Sequence, residues 1–358
     1  MINIFVDKTD KYSTARDRGF FVCNELLKRK IKVNLYSPLN ELSCNRFDSN
    51  YFFDVYKTFK AIYRFNDNEV IYLVRTVYSL YFTFLIIFFS VVLNRKYIFD
   101  FDDAIYLKPR VRVRLQTFLL VKYAAHVVVG SAKLFQWAKL KNNNVTMIPS
   151  VVPYNNYNSH IKKKSNNNAN LFTIGWIGHA VNHINNLQLL APIFRSLISK
   201  GLKFKFILIG GMKPSDKRLD FLKQIDGYEL QIIENIDWTN PDSPPSAIAQ
   251  FDVGVMPLVK NPKTEAKCSF KIIEYMATSV VAIASPVGEN NAVIKHGYDG
   301  YLPKSSDEWV SIIESINNNP LLKETVARRG SRKVKEFYSY NYAIPKILNI
   351  VKSIIDEN

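Results

Sequence analysis

The feature that most constrains this chain is an alternation, run through twice, of short apolar runs with longer segments of helical period. Residues 2–6 form an apolar run, residues 13–29 space their apolar side chains at helical intervals with Ser13 as the expected cap, and residues 31–36 return to strand character. Residues 70–74, 77–93 and 97–101 read as strand, helix and strand. A helix opens at about Pro109, which suits a first helical position, and strands at 127–129 and 145–148 flank a helix from about Ala132. Strands joined by crossovers of helical length pair in parallel, and their sheet is covered on both faces. Residues 149–170 break the pattern: two prolines, many asparagines and Lys162, Lys163 and Lys164, without apolar periodicity, read as a linker.

A second series then begins. Strands are expected at 171–177, 204–209, 228–233, 252–256 and 280–284, with helices at 184–199, 246–250 and 269–278, others from about 306 and 321, and an amphipathic segment at 342–355. The expected architecture is α/β, with two Rossmann-like domains facing a central cleft. Residues 1–158 form the first, 159–170 the linker and 171–341 the second, with a terminal helix over 342–358 folding back on the first. Open parallel sheets bind ligands beyond the carboxyl ends of their strands, so the loops there are where chemistry is expected.

Composition narrows the class. A chain of 358 residues suits two domains, and 47% hydrophobic with 22% charged residues excludes wholesale disorder. Cys23, Cys44 and Cys268 form no C-x-x-C pair, which fits a reducing compartment rather than a disulfide framework or zinc site. The strand-like start followed by Asp7, Lys8 and Asp10 lacks the plan of a secretory signal, so a cytoplasmic location is expected. The net charge of +17 is uneven: residues 1–170 carry 26 Lys/Arg against 12 Asp/Glu, while residues 171–358 carry 22 against 19. Residues 104–170 contain 11 basic residues and no acidic one. Such a face attracts an anionic membrane surface, nucleic acid or an acidic small molecule, or is a solvated face; no nucleic-acid-binding motif accompanies it, so no nucleic-acid partner is expected. Residues 77–93 are uncharged over 17 positions, at the lower limit for a span. Their place between two strands reads as a crossover helix packed on the sheet, while their excess of aromatic residues suits a bilayer interface, peripheral on the inner face of the membrane.

The second half carries the stronger site signals. Gly178, at the end of Gly175-Trp-Ile-Gly178, closes a strand at a helix start, where backbone N–H groups approach a phosphate. Lys267 and Lys271 sit at the start of the helix that carries Glu274 three residues later. Cations there oppose the helix dipole unless an anion lies between them; a diphosphate fits, with Glu274 accepting ribose hydroxyls, against a surface ion pair as the plainer reading. Gly288, Glu289 and Asn290 suit a polyhydroxylated ligand beside a phosphate. Trp238 and Pro257, at the ends of strands read as neighbours, either wall a nucleobase or belong to the core. In the first half Asp100, Asp102 and Asp103 end a strand, which suggests metal or hydroxyl binding, or a turn capped by Asp102.

Together the strings GWIG, FDVGVMPL, KCSFKIIEYMA, ASPVGEN and EFYS resemble the C-terminal domain of bacterial family-four glycosyltransferases of the GT-B fold, and FDFDDAIY resembles their N-terminal domain. The resemblance implies a retaining hexosyltransferase-type enzyme that needs no obligatory metal or other cofactor. It would move sugar from a UDP- or GDP-sugar to a glycan or lipid-linked acceptor in cell-surface polysaccharide synthesis. It implies that Lys267 and Lys271 hold the diphosphate, that Glu274 binds ribose, and that Gly288, Glu289 and Asn290 meet the sugar and β-phosphate. Arg16, Gly19, Asp102 and Asp103 would line the acceptor side. His179 stands near the position where the family often has Arg, and Ala266 where it often has Glu. A nucleotide-sugar epimerase of the same fold and a non-catalytic membrane scaffold are the alternative readings.

Overall fold

The computed structural model describes residues 1–37, 63, 68–75, 80–161 and 171–356, so the expected linker residues 162–170, Cys44 and residues 77–79 of the apolar segment lie outside it. The chain forms two compact units. The first comprises Met1–Val151, Ala266–Cys268 and Tyr340–Asn358, and the second Val152–Glu265 and Ser269–Ser339.

In the first unit β1 (Ile2–Val6), β2 (Val33–Tyr36), β3 (Val70–Val74), β4 (Tyr97–Phe101), β5 (His126–Val129) and β6 (Val145–Met147) pair in parallel in the order β2-β1-β3-β4-β5-β6. Side chains alternate between its two faces, as the strand period of two requires. Ile4, Val6, Val70 and Tyr72 enter one core with helix α1 (residues 13–28) and a C-terminal helix, while Phe5, Ile71 and Leu73 enter the other. That second core is roofed by α2 (Leu80–Val92), α3 (Val111–Tyr123) and α4 (Ala132–Lys139). Among the described residues no helix is long and apolar enough to cross a membrane.

In the second unit β7 (Phe172–Ile177), β8 (Phe204–Ile209), β9 (Glu229–Ile233), β10 (Val253–Met256) and β11 (Val281–Ala284) run parallel in the order β11-β10-β7-β8-β9. One face packs against α6 (Leu190–Ser199) and α8 (Ser306–Asn318). The other packs against α5 (Tyr154–Ser159), α7 (Phe270–Ala277) and Val334 of α9 (Pro320–Phe337), whose Val326 and Ala327 enter the core on the first face. The terminal helix α10 (Tyr340–Asp356) buries Ile344, Ile347 and Val351 in the core it shares with α1.

The structure shifts several sequence boundaries. Tyr12, not Ser13, occupies the N-cap of α1, without a side-chain cap bond. Arg110 is the N-cap of α3, so Pro109 precedes the helix instead of opening it. The helix expected at 184–199 divides into Ile184–Leu187 and Leu190–Ser199. Tyr157 on α5 is buried in the second unit's core together with Val152, which is why the first unit ends at Val151 and not at 158. Strands β9 and β10 are not neighbours, because β8 and β7 lie between them.

Candidate functional site

In the second unit the chain steps from β7 outward through β8 to β9 and returns to β10 on the far side of β7. That reversal opens a crevice beyond the carboxyl ends of β7 and β10. Gly178 follows β7 with φ +142, a backbone conformation that side chains disfavour, and its N–H donates to the Ile209 carbonyl at 2.9 Å. A Cβ there would stand 2.5 Å from Cε and 2.9 Å from Nζ of Lys271. The absent side chain is thus what lets the Lys271 ammonium lie against the backbone, where Nζ also sits 5.2 Å from the centroid of the buried Trp176 ring. Lys271 is the second residue of α7, so a cation and a helix N-terminus meet the Gly178 turn. This is an arrangement suited to an anion.

The neighbouring turn adds two glycines absent from the sequence-level site. Gly210 has φ +103 and packs against the Gly178 carbonyl, with Cζ2 of Trp238 3.3 Å from where its Cβ would be. Gly211 has φ +79, and His179 Nδ1 lies 2.9 Å from its missing Cβ. Gly178, His179, Trp238 and Lys271 are therefore brought together at the ends of β7 and β8. Pro257 follows β10 and is buried; beside it the Leu258 N–H donates to Ser285 Oγ at 2.9 Å, so Trp238 and Pro257 do not form one wall by strand adjacency.

Glu274, one turn along α7 from Lys271, is buried and accepts a 2.8 Å hydrogen bond from the Tyr157 hydroxyl at Oε1. Tyr157 was missed in the sequence because it lies 117 residues away on α5, in a stretch read as linker. Asn290 is held by the protein on both sides: Ser269 Oγ donates to its Oδ1 at 2.7 Å, and its amide donates to the Ser285 carbonyl at 2.9 Å. Gly288, with φ +54, packs against the Glu265 carbonyl, and Glu289 is buried beside it. Asn290 thus shapes the Gly288 loop by tying it to the start of α7.

The first unit reverses its winding between β1 and β3, and polar groups collect at their carboxyl ends. Thr14 Oγ1 donates to Asp102 at 3.0 Å, and Arg75, at φ +49 after β3, pairs with Asp103 at 3.2 Å and donates to Thr14 Oγ1 at 3.2 Å. Asp7, after β1, belongs to the same end. Burial raises its carboxyl to about 6 although Arg75 opposes the shift. Asp102 also stands at about 6, raised first by burial and then by repulsion from Asp103, against the pull of Arg18 and Arg75. Asp100 does not converge with them: it takes a 2.7 Å ion pair from Arg18 and a 2.6 Å hydrogen bond from the Tyr72 hydroxyl. Among the described residues no three His, Cys, Asp or Glu side chains are grouped to hold a metal ion.

Three other candidates take places that the sequence did not reveal. Gly19 is a packing glycine, since a Cβ there would collide with Cγ1 of Val6 in β1. Arg16 is buried and bound to Asp17 at 2.9 Å. Lys267 belongs to the first unit with Ala266 and Cys268, whose Sγ donates to the Asp102 carbonyl at 2.9 Å. Burial lowers the Lys267 ammonium pKa, while Asp103 and Asp102 draw it back up.

Two doubly wound parallel domains with these glycine turns define the GT-B architecture, and solved structures agree along the whole chain. The chain is similar to Anabaena HepE in complex with UDP and glucose, at 14% identity and a TM-score of 0.69, covering 98% of this chain and 99% of that one. It is similar to sucrose-phosphate synthase of Thermosynechococcus elongatus, at 12% identity and a TM-score of 0.72, covering 100% and 99%. It is also similar to the catalytic domain of starch synthase IV from Arabidopsis thaliana bound to ADP and acarbose, at 9% identity and a TM-score of 0.69, covering 99% of each chain. Residues 171–319 match the family described as Glycosyl transferases group 1, so the second unit carries a glycosyltransferase domain. No curated protein sequence matches the chain.

Proposed function

We propose that this protein moves a sugar from a nucleotide-sugar donor, a UDP- or GDP-sugar, to a glycan or lipid-linked acceptor in cell-surface polysaccharide synthesis, at the inner face of a membrane. The observation that carries the reading is the Lys271 ammonium lying against the Gly178 turn at the start of α7. Such a transfer builds negative charge on the departing diphosphate, and fixed cations and N–H groups are the means of stabilising it. In this reading Lys271 and the Gly178 turn bind the diphosphate. Glu274, oriented by Tyr157, accepts the ribose hydroxyls, and the Gly288–Glu289–Asn290 loop meets the sugar. Asp102 and Asp103 line the acceptor side, where a carboxyl of raised pKa suits contact with an acceptor hydroxyl. The UDP and ADP in the HepE and starch synthase IV structures support a nucleoside diphosphate as the leaving group. Retention of anomeric configuration is what the family resemblance implies. Thermal melting with UDP, GDP and ADP tests the reading: stabilisation by one of them, lost in Lys271→Met, is the expected result, and no stabilisation by any would count against it.

A further inference from the structure

We infer that the outward faces of α2 and α3 form a docking surface for an anionic lipid bilayer. The surface lies wholly within the first unit and does not depend on the donor chemistry proposed above. α2 is apolar on both sides. Phe82, Ile86 and Phe89 are buried against the sheet, while Tyr81, Phe84, Phe88 and Val91 on the opposite side are 83%, 55%, 52% and 63% exposed. Those four positions follow helical spacing and form one stripe. A roofing helix with only one buried face ordinarily turns polar residues outward, and a contiguous bare aromatic stripe marks an interaction surface.

α3 continues the surface with a different chemistry. Val111, Leu115, Phe118 and Lys122 are exposed at intervals of three and four, again on one side, with the exposed Arg114 beside Leu115. The two helices lie side by side on one sheet face: Phe82, Ile86, Leu120 and Val121 enter the same core, and Gln116 Nε2 donates to Thr83 Oγ1 at 3.3 Å. Their outer stripes are therefore adjacent.

Charge selects the occupant. Residues 80–99 and 104–161 contain no acidic side chain, whereas Arg95, Lys96, Arg110, Arg112, Arg114 and Lys122 belong to these helices or flank them. A second copy pairing through the same patch would set basic residues against basic residues across a two-fold axis. A bilayer bearing anionic headgroups meets both features at once, taking the aromatic stripe into its interface and the arginines at its phosphates. With no described helix able to span, the helices lie in the plane of the surface.

The experiment is co-sedimentation of the full chain with phosphatidylcholine vesicles, with and without phosphatidylglycerol, beside light scattering for oligomeric state. Binding to the anionic vesicles, weakened by salt, is expected. Phe84→Ser with Phe88→Ser, and separately Arg110→Glu with Arg114→Glu, should each reduce the bound fraction about tenfold or more. All four side chains are exposed, so the melting temperatures should not fall. Phe88→Trp, in the otherwise unaltered chain, should shift its fluorescence to the blue on anionic vesicles alone. Absence of binding, equal binding to both vesicle types, indifference to the substitutions, an unshifted Trp, or a dimer that the Phe substitutions dissociate would overturn the inference.

Discussion

Replacing Gly178 with Ala tests the proposed donor site at its contact with Lys271. Two consequences follow from the geometry. The backbone stands at φ +142, so any side chain strains the turn by about 1–3 kcal/mol. At about 2–4 °C per kcal/mol, the melting temperature of the unliganded protein should fall by several degrees. The new methyl would also sit 2.5 Å from Cε and 2.9 Å from Nζ of Lys271, and the flexible end of that side chain is what yields. Displacing the ammonium should remove a hydrogen bond to a charged group from the diphosphate, about 1.5–3 kcal/mol. In UDP or GDP affinity that is about a 10- to 150-fold loss, measurable by calorimetry. The decisive comparison is a double-mutant cycle. If Gly178→Ala acts on the nucleotide through Lys271, then adding it to Lys271→Met should weaken binding little further. Additive losses, or nucleotide binding by Gly178→Ala equal to wild type, would refute the placement of Lys271 over the phosphate.

Two further outcomes are expected from the first unit. Gly19→Ala drives a methyl into Val6 on a buried strand, so it should destabilise the protein by about 1–3 kcal/mol in denaturant melts; an acceptor KM that changes while stability does not would instead mark Gly19 as a ligand contact. Asp7 and Asp102 both stand at about 6, above the roughly 3.9 of an unfolded chain, so the native state holds the extra protons between about pH 4 and 6. Stability should fall as pH rises through that window, and the Asp7→Asn, Asp102→Asn pair should flatten the slope in guanidinium titrations; an unchanged slope would remove both carboxyls from the argument.

The alternation of strands and helices was legible because inner strands such as β3 and β10 are buried on both faces and read as short apolar runs. Residues 2–6 and 204–209 became β1 and β8 without a shift. Gly178 and Lys271 were each singled out by a local signal, a strand-end glycine and a cation set against a helix dipole, but that the two meet is visible only in the structure. What stayed hidden depends on partners distant in the chain. Nothing near Tyr157 announces that it holds Glu274, and the approach of Gly19 to Val6 looks in sequence like any glycine beside an arginine. Arg18 and Tyr72, which occupy Asp100, come from other elements, so three carboxylates close in sequence looked like one cluster. Trp238 and Pro257 looked adjacent because β9 precedes β10, whereas the winding of the sheet separates them.

The placement of α10 bears on how the protein is made. Seven of its side chains, from Tyr340 to Ile354, are buried in the first unit. The ribosome delivers them only after the whole second unit, so the N-terminal sheet waits through that synthesis with one greasy side covered by α1 alone. A polypeptide that stopped before α10 would lack that lid, and the cell's quality control would meet it as an unfinished first unit, however well the second had formed.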